Sequence, residues 1–315
     1  MGWILLATAG QFLNAIVAIF DKYIVSDENI LPRPFVYAFY SCLVTGGWIF
    51  IFFIGLIPGL GSLGVPSLEN VQKPTLEVVA MSFLAAYTFF IALVSMFDAL
   101  KRADASSTMP IIGSVSALSS FGLSYLFFDT QLHDNFVIGI VLLSVGTMLV
   151  AQTLPKIDVT VQVFHSGLFF ALHYITMKGL FEATNFDDGF FWSRIGFVLF
   201  TLSLLLVPAY FAKIKTQTAE TSKKAGLIVL VAKVFAGVAA FMLLKATDLG
   251  EVSVVQSLDG LRFVFILLIT VLFAHWLPES ATDRDMRPGT FFRKMLYVVV
   301  ILVGFFVLFA WYDTE

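Results

Sequence analysis

ALKRADASSTMPIIGSVSALSSFGLSYLFF, residues 99–128, decides how the chain is read. A short charged turn (Lys101, Arg102, Asp104) ends one apolar run, and the next run is built from serine, glycine and aromatic residues instead of plain leucine. Small side chains let helix backbones approach closely in lipid, and hydroxyls bond across the gap. The run 106–128 is therefore expected to pack inside a helical bundle. Pro110 and Gly113 lie early in it, where a membrane helix can unwind if its freed backbone groups face a cavity. About 146 residues later the outline returns. LKATDLGEVSVVQSLDGLRFVFILLITVLF, residues 244–273, again joins an apolar run through a polar turn to a helix with Ser253, Gln256, Ser257 and Gly260 near its start.

Composition sets the class. Hydrophobic residues make up 59% of 315 and charged residues 13%, with a mean hydropathy of +0.91. Those values lie outside the range of water-soluble domains and imply a multi-pass protein of the cell membrane, the inner membrane in a Gram-negative source. The net charge is −3 and the basic residues sit mostly in short connections, so no basic face is offered to nucleic acid. The single cysteine, Cys42, excludes an internal disulfide and a cysteine metal cluster. The first apolar run has no basic residue before Lys22 and no evident cleavage site, which points to a retained span rather than a signal peptide.

A spanning helix needs about 20 apolar residues, and on that ruler the chain has about ten runs: 3–25, 34–57, 76–100, 107–128, 135–152, 161–181, 189–212, 225–247, 252–276 and 291–311. The longer connections are 55–74, 213–224 and 278–289, none large enough for a soluble domain. The duplication extends along the chain. QFLNAIVAIFDKYIV (11–25) aligns with GLFFALHYITMKGLF (167–181), placing Lys22 opposite Lys178, and VLLSVGTMLVA (141–151) aligns with VVILVGFFVLF (299–309), placing Gly146 opposite Gly304. The expected fold is thus an all-α integral membrane protein of about ten helices in two five-helix repeats, 1–155 and 156–315. Because five is odd, the second repeat enters the membrane from the opposite side, and inverted repeats of this kind permit alternating access around a midplane site.

The junction Ala99, Leu100, Ala105, Ser106 and Pro110, together with the glycine-bearing run 135–152, resembles the EamA-like members of the drug/metabolite transporter superfamily. The resemblance covers nearly the whole chain. It departs at Asp129-Thr130-Gln131, which lacks the Glu commonly found after the fourth helix, whereas the second half has Glu279 after Pro278. It implies a small-molecule substrate, the lipid bilayer as the protein's surroundings, and export or exchange of amino acids, other metabolites or drugs.

Charge inside a span costs about 2.5–3.5 kcal/mol on insertion scales, so it is kept for a cavity or a partner. Four such residues lie well inside predicted spans: Arg194, Lys233, Asp259 and Arg262. Asp259 and Arg262 are neighbours on one helix face, as an internal ion pair or as site residues. Arg194 and Lys233 have no partner on their own helices and either snorkel or face a cavity. Together the four make a net positive pool suited to a carboxylate or phosphate. On the first helix Gln11, Asn14, Ala18, Asp21 and Lys22 form a polar stripe, with Asn14 a candidate ligand or an interhelical amide. Tyr40, Tyr87, Ser114 and Gln256 complete the candidate substrate-binding set. His173, Asp98 and Asp259 are the candidate proton-coupling groups, His173 alternatively serving as a neutral histidine bonded between helices.

Enzyme motifs are missing: there is no HExxH and no phosphate-cradling Gly-rich loop with Lys-Ser/Thr. His133, His165, His173 and His275 fall on separate segments or too far apart for a metal pair, so no metal and no cofactor is expected. The reading is a secondary transporter of a small polar, anion-bearing metabolite such as an amino acid. Its rival is a membrane-embedded binding or scaffold protein through which nothing crosses. Basic residues concentrate after the odd-numbered runs, which places both termini outside, whereas the resemblance implies cytoplasmic termini. A reporter fused after Glu315 separates the two: activity only in an exported reporter supports the charge bias, and activity only in a cytoplasmic one supports the resemblance.

Overall fold

A computed structural model describes residues 2–27, 30–31, 33–56, 65–103, 105–128, 132, 134–151, 156–273 and 288–309. Asp129 to Gln131, His133, His275 and Glu279 lie outside the described residues. Among the described residues the chain is helical and has no strand. Seven helices among the described residues are long and apolar enough to cross a membrane, and Asp134–Val150 and Met295–Leu308 are shorter apolar helices. The chain is an all-α membrane protein.

In chain order the helices are α1 (Gly2–Ser26), α2 (Pro34–Gly47), α3 (Ile51–Gly55), α4 (Leu76–Arg102), α5 (Ala105–Phe128), α6 (Asp134–Val150), α7 (Ile157–Ala183), α8 (Phe186–Ser203), α9 (Pro208–Glu220), α10 (Lys223–Leu249), α11 (Val252–Ser257), α12 (Asp259–Leu272) and α13 (Pro288–Phe309). Local chemistry fixes many of the ends. Thr75 and Ser222 cap α4 and α10 by accepting from the Val78 and Ala225 amides at 3.3 and 3.2 Å, and Asn185 caps α8 through the Asp188 amide at 3.0 Å. Each such cap satisfies an amide that has no partner within the helix. Pro34 and Pro208 open α2 and α9 at positions where a missing N–H costs nothing.

Three local expectations are corrected. The run expected at 189–212 stops at Leu204–Leu206, a 3-10 turn, because Pro208 cannot continue the helix. The connection expected at 213–224 is largely helical: α9 runs to Glu220 with Ile214 and Gln217 buried and Lys213 and Lys215 outside. Pro110 does not unwind α5, since near the start of the helix it removes only the bond its N–H would have made to the Ser106 carbonyl. The break falls in the second half instead. At Leu258, between α11 and α12, the Leu261 amide bonds three residues back to the Leu258 carbonyl at 2.9 Å.

Packing follows from small residues and hydroxyls. α1 lies against α10 and α12, α4 against α7 and α8, α5 against α7, α2 against α4 and α8, and α6 against α13. The α6–α13 contact is backbone on backbone. A side chain on Gly304 would sit 2.9 Å from the Leu143 amide nitrogen, and one on Gly146 3.1 Å from that of Ile301. The α4–α7 seam is polar as well as apolar: Ser166 donates to the Ala92 carbonyl at 2.9 Å, and Ser95 is 2.8 Å from His165 Nδ1. Two lysines close helix ends. Lys22 donates to the carbonyls of Leu100 and Ala103 at the end of α4, at 2.8 and 3.0 Å. Lys178 donates to those of Asp248 and Gly250 at the end of α10, at 3.3 and 3.2 Å. A cation there meets the negative end of the helix dipole.

Gly304→Leu must separate α6 from α13 and is expected to cost about 1–3 kcal/mol by overpacking. Thermal unfolding of the purified protein in detergent should show a lowered Tm, and an unchanged Tm would contradict the close contact.

Candidate functional site

Helices α1, α2, α4, α5, α7, α10, α11 and α12 enclose a partly open cavity of about 120 Å³. A site for one water needs about 10–15 Å³ on the same measure, so there is room for several waters or one small solute. Phe89, Leu93, Met96, Met109, Ile112 and Phe170 make its apolar wall. Its polar groups gather at two poles.

The first pole joins α1, α2 and α10. Lys233 Nζ lies 2.8 Å from Asp21 Oδ1, with the two side chains 5% and 6% exposed. Tyr37 donates its hydroxyl to the same oxygen. The ammonium also stands 4.1 Å from the Tyr37 ring centroid and 5.2 Å from that of Phe97, a desolvated cation–π arrangement. Periodicity explains the position of Asp21: with Gln11, Asn14 and Ala18 it lies on the face of α1 that lines the cavity.

The second pole lies at the α11–α12 break. Arg262 donates to Asp259 Oδ2 at 2.6 Å, three residues apart on one face. Gln11 lies beside Asp259, and Tyr174 beside Gln256, in the cavity wall. Ser116 donates to Gln256 Oε1 over a long 3.5 Å. Gly113 makes the approach feasible, because any side chain there would occupy the space of the Asp259 carboxyl. Two buried polar atoms of this pole, Arg262 Nε and Gln11 Oε1, have no hydrogen-bond partner among the described residues. A donor and an acceptor left unpaired at one pole suit a ligand that carries both kinds of group. Gln11 and Asp21 are ten residues apart on α1, so the two poles stand about 15 Å apart along it.

Of the substrate-binding candidates, Asn14, Lys233, Gln256, Asp259 and Arg262 line the cavity. The others lie elsewhere. Tyr40 faces Thr218 of α9, its hydroxyl 2.5 Å from that side chain's oxygen. Tyr87 is an exposed ring beside Phe169 and Phe200 on the outer face. Ser114 donates to the carbonyls of Pro110 and Ser144 and ties α5 to α6. Arg194 is buried away from the cavity, its guanidinium 4.6 and 4.8 Å from the Phe190 and Phe197 ring centroids and 3.4 Å from the Thr45 carbonyl.

The net positive pool is therefore corrected. Arg194 leaves it and Asp21 enters, so the cavity holds two cations and two anions as two pairs. Of the proton candidates, His173 Nδ1 lies 2.9 Å from the Ala85 carbonyl and bonds across the α4–α7 seam. Asp98 pairs with Arg102 at 2.8 Å on the surface. Only Asp259 of the three reaches the cavity. Sequence reading placed Asp21 in the α1 stripe without giving it a role, and it passed over Tyr37 and Tyr174, which nothing in a chain rich in aromatics sets apart.

No family model matches the chain, and no curated protein matches it. A protein of known crystal structure is similar, with 15% identity, a TM-score of 0.65, and coverage of 100% of this chain and 99% of that chain. At that identity the likeness shows a shared fold extending over the full length of both chains.

Proposed function

We propose that the chain is an EamA-like secondary transporter of ten membrane helices in two inverted repeats, 1–155 and 156–315, moving a small polar metabolite by alternating access. The fold supports the repeat through its pairings. Taking α1, α2, α4, α5 and α6 as one unit and α7, α8, α10, α11–α12 and α13 as the other, the contact α1–α10 has its counterpart in α4–α7, and α1–α12 in α5–α7. The contacts α2–α8 and α6–α13 are their own counterparts. Lys22 closes α4 as Lys178 closes α10, and Gly146 lies against Ile301 of α13 as Gly304 lies against Leu143 of α6. These are the two pairs of positions that the internal alignment sets opposite one another.

The observation that carries the solute reading is the unpaired buried donor and acceptor at the second pole, Arg262 Nε and Gln11 Oε1. Leaving buried polar atoms unpaired costs about 1–3 kcal/mol each, which a ligand recovers by filling them. The Asp259–Arg262 pair offers a carboxylate-binding guanidinium beside an ammonium-binding carboxylate, so a zwitterion such as an amino acid can exchange with the pair, each of its charges taking one partner. Asn14, Gln256 and Tyr174 supply neutral hydrogen bonds around it, and Phe89, Phe170 and Met109 receive an apolar side chain.

A thermal-shift panel of amino acids and small organic acids tests this reading. A true ligand at 100 times its Kd adds about 2.7 kcal/mol of stability. Arg262→Ala should weaken that ligand about tenfold or more, the worth of a charged hydrogen bond, and should reduce its flux into reconstituted vesicles. Gly113→Ala places a methyl group where the Asp259 carboxyl sits and should reduce flux similarly without unfolding the protein. No stabilisation by any compound, with no flux, would favour the membrane-embedded scaffold instead.

A further inference from the structure

We propose that Asp21, held by Tyr37 and Lys233, is a proton-binding site that couples the transport cycle to pH, separate from the solute pole. The inference rests on the transport reading for its purpose, but the site itself stands on geometry. Both donors, the Lys233 ammonium and the Tyr37 hydroxyl, converge on Oδ1 of Asp21. Oδ2 accepts nothing among the described residues, and Asp21 lines the cavity. A carboxylate with one oxygen held and the other facing the cavity has a vacant position where a proton can bind.

Of the two ion pairs that line the cavity among the described residues, this is the one that joins a helix before residue 155 to one after it, with 212 residues between its partners. The ion pair of Arg262 with Asp259, by contrast, is formed within one helix and does not itself join two elements. One proton arriving at Oδ2 turns the carboxylate into a neutral acid, raises the charge of the pole by one, and breaks no covalent bond. The ion-pair attraction across α1 and α10 is lost. Lys233 is then a buried cation without a counter-ion, an unfavourable state that drives it toward cavity water and frees the two helices to separate.

The surroundings favour a proton over a metal cation. A metal ion needs several oxygen ligands, and the ammonium 2.8 Å away repels a second cation. The other charged or titratable groups facing the pole are few. α2 contributes Tyr37 and the buried Cys42 thiol, which is within electrostatic reach of Lys233 and Arg194. Lys22, next to Asp21 on α1, is turned to the carbonyls of Leu100 and Ala103. α4 presents the Phe97 ring, with Asp98 engaged by Arg102. α5 presents Gly113 and Ser116 to the cavity, and Asp259 and Arg262 of α12 stand at the other pole.

The test compares wild type with Asp21→Asn and with Asp21→Asn/Lys233→Gln. The single variant strands a buried cation and can fail to fold, whereas removal of both charges is tolerated far better. In detergent, acid titration of folded protein should show wild type taking up one proton more than the double variant. Cysteine at Ser41, on the α2 wall of the cavity, in a Cys42→Ala background reports access to a maleimide. Labelling should rise on acidification in the wild-type frame and stay independent of pH in the double variant. Vesicles given labelled L-amino acids and an inward proton gradient should accumulate solute with wild type only. Equal proton uptake, with pH-independent labelling in both frames, would show a merely structural pair and overturn the proposal even if solute still moves. Uptake of the extra proton and pH-dependent labelling, without movement of any solute, would uphold the site and reject transport instead.

Discussion

Charge has no water to retreat to in a hydrocarbon layer, and the interior of this protein is arranged around that constraint. Each charged side chain buried in the bundle is held by another group. Lys233 meets Asp21, Arg262 meets Asp259, and Arg194 lies between the Phe190 and Phe197 rings with a carbonyl beside it. Desolvating a charge costs several kcal/mol even after relaxation, so each pairing constrains which helices can be neighbours. The Asp21–Lys233 pair forces α1 onto α10, and the short reach between Asp259 and Gly113 forces α12 onto α5.

Close approach of backbones does the remaining work. Without a hydrophobic force between helices in lipid, association depends on packing and on hydrogen bonds made across the seam. Gly146 and Gly304 bring α6 and α13 together, Gly46 lets α2 reach the backbone of α8 at Arg194, and serine hydroxyls donate across the α4–α7 and α5–α6 contacts. The cavity is what this economy leaves in the centre. Ala236 and Ala240 line it with small side chains, while the space beside Gly113 is taken by the Asp259 carboxyl.

The two poles differ in kind, and the difference follows from how their charges are connected. A pair three residues apart on one helix is formed locally and can exchange its partners for a ligand without moving a helix. A pair between helices far apart in sequence registers their relative position, so any change in its charge is felt by the bundle. Polar side chains facing one cavity can thus serve recognition at one end and conformational control at the other.

The membrane class, the helical periods and the small-residue seams were legible in the chain, because hydropathy and helix periodicity depend on residues within a few turns of one another. The Asp259–Arg262 pair was legible for the same reason. Partners across helices were not. Nothing in the order of residues says that Lys233 should meet Asp21, that Arg194 should be wrapped in phenylalanine, or that Tyr87 should face outward while Tyr174 faces in. Those outcomes depend on the rotation and crossing of whole helices. The sequence determined which side chains needed partners, and only tertiary packing, by fixing which faces meet, decided what the partners were and which buried donors were left unpaired.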